Sequence, residues 1–176
     1  MTGPPHRVWK FALLVLIIAS IFWLGAINIR ALIGNDMLKT GTLDLEDYLD
    51  PEAEREIYRL LSFASLVVII SYAVVLVSGT MFLATSPFRL REQGWLMMSA
   101  ILFYLFVPVE LFTLYLDGEM IYKEFFTTAG NSVFRELFLA RAGALSGAPV
   151  LATFCYYTII ALAVFRPFVR TPSQQP

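Results

Sequence analysis

The stretch LLSFASLVVIISYAVVLVSGTMFLATSPF, Leu60–Phe88, contains no charged residue and no proline before Pro87. Coiled as a helix at 1.5 Å per residue it exceeds the roughly 30 Å of hydrocarbon in a bilayer. In lipid, backbone polar groups must be satisfied within the segment, so an apolar run of this length reads as a transmembrane helix.

Working outward, three more runs have the same character: Phe11–Ile29, Gln93–Val109 continuing past Glu110 to Leu116, and Ala142–Phe165. They predict an all-α integral membrane protein: one transmembrane domain over residues 1–176, with spans at about 9–34, 58–87, 93–116 and 142–166 in a four-helix bundle. The connections 35–57 and 117–141 lie between them. His6, Arg7 and Lys10 precede the first run in the manner of a signal peptide. Its apolar core is longer than the roughly 7 to 15 residues of such a segment, which predicts a retained helix.

The composition agrees. Of 176 residues, 58% are hydrophobic and 15% charged, against about 25% charged in soluble domains. Mean hydropathy is +0.69. A net charge of -1 implies no nucleic-acid partner. The single cysteine, Cys155, excludes an internal disulfide and sits in an apolar run as a small buried hydrophobe.

The charges are segregated. Arg7 and Lys10, then Arg89 and Arg91, then Arg166 and Arg170 flank one side of the runs, whereas the other side carries the acids between Asp36 and Glu56 and the connection Asp117–Glu136. The positive-inside rule places both termini in the cytoplasm, and a bacterial inner or cytoplasmic membrane is the expected location. Trp9, Trp95, Tyr58 and Tyr115 fall near the interfaces, where amphipathic rings are expected.

The outer connections read as short helical elements. Asp50-Pro51-Glu52 has the order of an N-cap, a first-turn proline and a dipole-favoured acid, so the second helix is expected to begin well before its span. Asn131-Ser132 is expected to start the fourth helix likewise, and Met120–Phe126 suits a short interfacial helix. The C-terminal TPSQQP reads as a solvated tail. Displacement by 80 residues superposes Arg55–Tyr58 on Arg135–Phe138 and Pro87-Phe88 on Pro167-Phe168, the pattern of two tandem helical hairpins, with convergent interface chemistry as the alternative.

The polar residues inside this frame are few. Arg30 and Glu110 both lie roughly 25 to 30 Å from the cytoplasmic face at 1.5 Å per residue. Arg59 and Arg141, at the outer helix ends, reach the same level. The candidate polar layer is therefore Arg30, Arg59, Glu110 and Arg141, in which Glu110 is expected to pair with Arg30, Arg59 or Arg141 and fix helix rotation; the alternatives are that the four line a vestibule for an ion, a proton or an anionic solute, or that they meet a partner subunit's charge. Pro108 and Pro149 are candidate kinks, since each leaves a carbonyl four residues earlier without its donor. Gly143 and Gly147, with Ala144 and Ala148 beside them, form a GxxxG pattern and a candidate helix-packing face.

Catalytic signals are weak. The only histidine, His6, precedes the first run, which removes haem-ligating pairs, imidazole metal sites and serine or cysteine triads from the spans. The cluster DLEDYLD, 44–50, lacks the spacing and glycine of an EF-hand and reads as a solvated acidic face or a docking surface for a basic partner. No cofactor is predicted, and a bound lipid is compatible with the apolar surface. The expectation is a non-catalytic membrane subunit that packs with other membrane-protein subunits or copies of itself. The alternative is a transport component, a small channel or the four-span subunit of a secondary transporter, with its polar site around Glu110.

Overall fold

The computed structural model describes residues 5–39, 44–46, 50–90 and 92–168. The expectations placed on Asp47, Arg91, Arg170 and the tail 171–176 lie outside the described residues. The described chain is all-helical: α1 (Pro5–Asp36), α2 (Pro51–Thr85), α3 (Gly94–Phe126), α4 (Asn131–Ala142) and α5 (Ala148–Phe165), with a 3-10 turn over Ala144–Gly147. A single bridge, Leu38 with Leu45, is the extent of extended pairing among these residues. Four of the helices, α1, α2, α3 and α5, are long and apolar enough to cross a membrane.

The chain divides into two units. The first comprises Met1–Thr85 and Phe112–Ala144, and the second Ser86–Leu111 and Leu145–Pro176.

In the first unit α1 packs against α2. Most buried residues of α1 and the turn after it recur every seven positions in two series, Ala12, Ala19, Ala26 and Trp23, Arg30, Met37. Most of those of α2 do the same: Glu54, Leu61, Val68, Val75, Phe82 and Tyr58, Ser65, Tyr72. A 3.5-residue period is that of two helices keeping one seam in contact along their length. The pairing is antiparallel, since Trp9 meets Phe82 at 6.4 Å between ring centroids and Trp23 meets Tyr72 at 5.1 Å. Small residues line the seam, and a Cβ on Gly79 would stand 3.6 Å from a Leu16 methyl. Close backbone approach of this kind is how membrane helices gain packing without a hydrophobic drive between them. The α2 hydroxyls are consumed locally: Ser62, Ser65, Ser71 and Ser78 each donate to the carbonyl four residues before.

Beyond the seam the helices carry a compact cap. Met37 just after α1, Tyr58 and Leu61 of α2, Met120 of α3, and Phe134 and Phe138 of α4 form one buried cluster. Asp50 caps α2, its Oδ1 accepting the N–H of Glu52 at 3.0 Å and of Ala53 at 2.8 Å. The acidic connection folds back through Lys39 N–H to the Asp44 carbonyl and Glu46 N–H to the Met37 carbonyl, which brings Leu38 and Leu45 onto the cluster.

Three local expectations are corrected. Met120–Phe126 is not a separate interfacial helix but the end of α3, because nothing between Leu116 and Phe126 breaks the helix. Asn131 does open α4, yet the cap position is Gly130 and no side chain caps it. The Asn131 amide instead donates to the Pro51 carbonyl at 2.7 Å, which ties the start of α4 to the start of α2. The fourth span is not one helix. Gly143 closes α4, Gly147 adopts φ +88 at the N-cap of α5, and Pro149 stands in the first turn of α5, where its missing N–H needs no partner. Pro149 therefore kinks no continuous helix, and Gly143, Ala144, Gly147 and Ala148 share no α-helical face. Pro108, by contrast, is inside α3.

The 80-residue displacement acquires a partial structural counterpart. α2 runs Pro51–Thr85, and α4 with α5 runs from Asn131 to Phe165, so both ends correspond. The interruption at 143–147 has none, since 63–67 is unbroken helix, and α1 and α3 do not share boundaries under this shift.

In the second unit, the start of α3 meets the segment after α5. Gly94 donates its N–H to the Phe168 carbonyl at 3.3 Å, and Arg166 lies over the Trp95 ring at 5.6 Å. A Cβ on Gly94 would fall 2.8 Å from that of Phe168, so this approach admits only glycine.

Candidate functional site

Among the described residues the buried charged side chains are Arg30, Glu54, Glu110 and Asp117. Each is engaged with a side chain from a different helix.

The most enclosed group is Asp117, 0% exposed, on the part of α3 that belongs to the first unit. Arg30, near the end of α1, approaches it with both terminal nitrogens: Nη1 on Oδ2, and Nη2 on Oδ1 at 2.7 Å. Arg141, in the last turn of α4, donates Nε to Oδ1 at 3.0 Å. One carboxylate thus accepts three N–H groups from two helices, the bidentate arrangement in which guanidinium recognition is strongest. Taking these charges out of water is expensive, and the geometry repays it only while all partners are present. The Arg30 Nε is buried without an acceptor.

A second set of ion pairs sits in the cap. Glu54 of α2 accepts Nε and Nη2 of Arg135 of α4, both at 3.0 Å, together with the Tyr58 hydroxyl at 2.8 Å. The hydrogen-bonded Glu54 carboxylate holds the Arg135 guanidinium above its ordinary pKa. Next to Glu54, Arg55 pairs with Glu124 of α3 at 2.8 Å, a charge contact without hydrogen-bond alignment at that oxygen, and stacks over the Phe134 ring at 4.5 Å. Phe134 lies in turn against Tyr58 at 5.8 Å. Charges and rings together lock α4 onto α2 and the end of α3.

In the second unit, Glu110 of α3 is 5% exposed and accepts the Tyr156 hydroxyl of α5 at 3.0 Å. Tyr156 is flanked by Phe103 and Phe106, each 6.4 Å away between ring centroids.

Of the four residues expected to form a polar layer, Arg30 and Arg141 are brought together, on Asp117. Arg59 is exposed on α2 and stands 3.8 Å from Glu56. Glu110 takes a tyrosine hydroxyl in its own unit. The residue sequence reasoning missed is Asp117, which it assigned to the start of an outer connection. A signal was present: positions 110, 113, 117, 120 and 124 recur at three- and four-residue spacing, the stripe of one helical face. Glu54 was likewise read only as one of the acids between Asp36 and Glu56.

No three His, Cys, Asp or Glu side chains converge as a metal site among the described residues. No protein-family model matches the chain, and no curated protein or solved structure matches it either.

Proposed function

We propose that the chain is a four-span bundle of a bacterial cytoplasmic membrane with both termini inside, and that it acts as a non-catalytic subunit which packs within and stabilises a larger multi-subunit membrane complex. The observation that carries this reading is that the buried charges are spent on joining helices: Arg30 to Asp117, Glu54 to Arg135, Glu110 to Tyr156. A buried ionisable group in a membrane protein marks either a solute path or a structural joint, and cross-helix pairing at these distances supports the joint. The lipid-scale surface adds to it. α5 buries only Ala152 and Tyr156, which leaves Leu151, Phe154 and Val164 for lipid or a neighbouring chain.

Extraction of the tagged chain from its native membrane in a mild detergent, followed by mass spectrometry of what co-purifies, tests the proposal. A reproducible set of membrane partners in fixed ratio is expected; an isolated monomer or homo-oligomer sinks it. The variant Glu110→Gln separates the transport alternative in the same preparation, because the amide still offers Tyr156 an oxygen but carries no charge. A structural Glu110 tolerates the change. Loss of solute flux with assembly intact favours transport.

A further inference from the structure

We propose that the groove between the start of α1 and the end of α2 is a binding site for one anionic phospholipid, with an acyl chain in the groove and the headgroup phosphate on Arg7 and Lys10. The inference rests only on α1 and α2 crossing a membrane, and it goes beyond the subunit reading.

The groove, of about 350 Å³, lies between Phe11, Ala12 and Val15 of α1 and Ala73, Val77 and Met81 of α2. Its floor is low because the seam residues there are small, Ala12 and Ser78, both buried. The exposed side chains of Phe11, Val77 and Met81 rise beside them as walls. Ser78 brings the one hydroxyl of the lining, and that hydroxyl donates to the Val74 carbonyl at 2.6 Å. An occupant is thus offered no polar partner, and an apolar recess takes an apolar guest. The lining covers about two turns of α2, roughly 12 Å at 1.5 Å per residue. That suits part of an acyl chain, whereas the helix-packing seam of this protein runs the length of α1 and α2.

Charge at one end of the groove selects the headgroup. Arg7, Phe11 and Val15 recur at four-residue spacing, so Arg7 stands one turn beyond the groove on the same face of α1. Arg7 and Lys10 are both exposed. Neither α1 nor this end of α2 offers them an acid, since the chain has no Asp or Glu before Asp36 and none between Glu56 and Glu92. Lys10 lies over the Trp9 ring at 5.5 Å, and tryptophan rings favour the headgroup level. Long basic side chains keep their stems on apolar surface and their charges among the phosphates. A soluble anion uses only the cations and a neutral lipid only the groove. An anionic phospholipid uses both.

Native mass spectrometry of the full chain in detergent, titrated with phosphatidylglycerol, phosphatidylcholine or the chainless headgroup glycerophosphoglycerol, reads the site directly. Phosphatidylglycerol is expected to bind wild type at least about fivefold more tightly than phosphatidylcholine, the value of about one basic residue near an anionic lipid. The double variant Arg7→Gln/Lys10→Gln should lose that preference. Ala73→Phe, which fills the groove from an exposed position, should lower phosphatidylglycerol binding to the level of phosphatidylcholine, while Arg59→Gln at the opposite end of α2 leaves it unchanged. The wild-type preference needs no variant to fold, and its absence overturns the proposal. So does its persistence in either groove variant, its equal loss in Arg59→Gln, or binding of glycerophosphoglycerol as tight as that of the lipid. In native membranes, p-benzoylphenylalanine in place of Val77 should crosslink to phospholipid. A protein adduct there, a second copy of this chain included, would give the groove to a partner helix and overturn the lipid site, yet leave the subunit reading standing.

Discussion

The side chain with most at stake is Asp117, because it is the common acceptor for two arginines. Asp117→Asn keeps the shape but removes the charge, which leaves the Arg30 and Arg141 guanidiniums facing a neutral amide whose nitrogen cannot accept. Breaking one partner of a buried ion pair typically costs about 3–5 kcal/mol. Asp117→Asn is therefore expected to lower stability on that scale in a reversible detergent-denaturation titration followed by circular dichroism. Arg59→Gln, at the exposed pair with Glu56, is expected to shift it by less than about 1 kcal/mol. Equal effects would remove the case for a structural triad. This residue also marks where sequence reading reached its limit. The types and depth of Arg30 and Arg141 are legible, because charges stand out in apolar runs. Their partner is not, because Asp117 lies just past the apolar stretch and only the continuation of α3 turns it back among the helices.

Elements were legible where the signal was local. The four apolar runs, the Asp50 cap and the first-turn Pro51 appear where composition and cap chemistry put them. The division of the last span into α4 and α5 was not legible as such, because Gly143, Gly147 and Pro149 fit a glycine-faced helix with a kink as well as a helix end followed by a helix start. Only the left-handed Gly147 backbone distinguishes the two. The heptad seam of α1 and α2 was present in the sequence but masked, since nearly every seam position is as apolar as the lipid-facing ones. Small residues mark part of the seam, since Ala12, Ala19, Ala26, Ser65 and Ser78 are buried while Phe11, Ile21 and Val77 are not, but Trp23, Tyr72 and Phe82 share it. At the other end of the elements, α3 begins against Phe168 with no room for a side chain. Gly94→Ala places a methyl 2.8 Å from the Phe168 Cβ and 3.0 Å from its carbonyl oxygen, and neither yields without moving backbone. A loss of about 1–3 kcal/mol is expected in the same titration. Gly25→Ala, whose Cβ meets nothing within 4 Å, is the control and should be neutral or slightly stabilising. A neutral Gly94→Ala would show that the junction after α5 is not packed as described.

At the scale of the whole molecule the decisive property is the segregation of charge, on which the proposed topology rests. Along α1, Arg7 and Lys10 stand at the start and Asp36 at the end, while α2 starts beside Asp50 and Glu52; basic residues in short connections resist translocation whereas acidic ones contribute little. In the proposed topology two crossings, α1 and α2, return the chain to the side from which it started. In that proposed topology the cap built from Met37, Tyr58, Met120 and Phe134 is the outer end of the first unit, and the arginines of its Glu54–Arg135 and Arg55–Glu124 pairs reach solvent. Single cysteines introduced into a Cys155→Ser background test this arrangement without disturbing a helix. A cysteine at Asp44, in the connection after α1, should react with a membrane-impermeant maleimide in intact cells. One at Arg89, in the connection after α2, should react only after permeabilisation. The reverse pattern would invert the orientation and move the Arg30–Asp117–Arg141 triad to the inner leaflet, while labelling of both positions in intact cells would show that α2 does not cross the membrane at all.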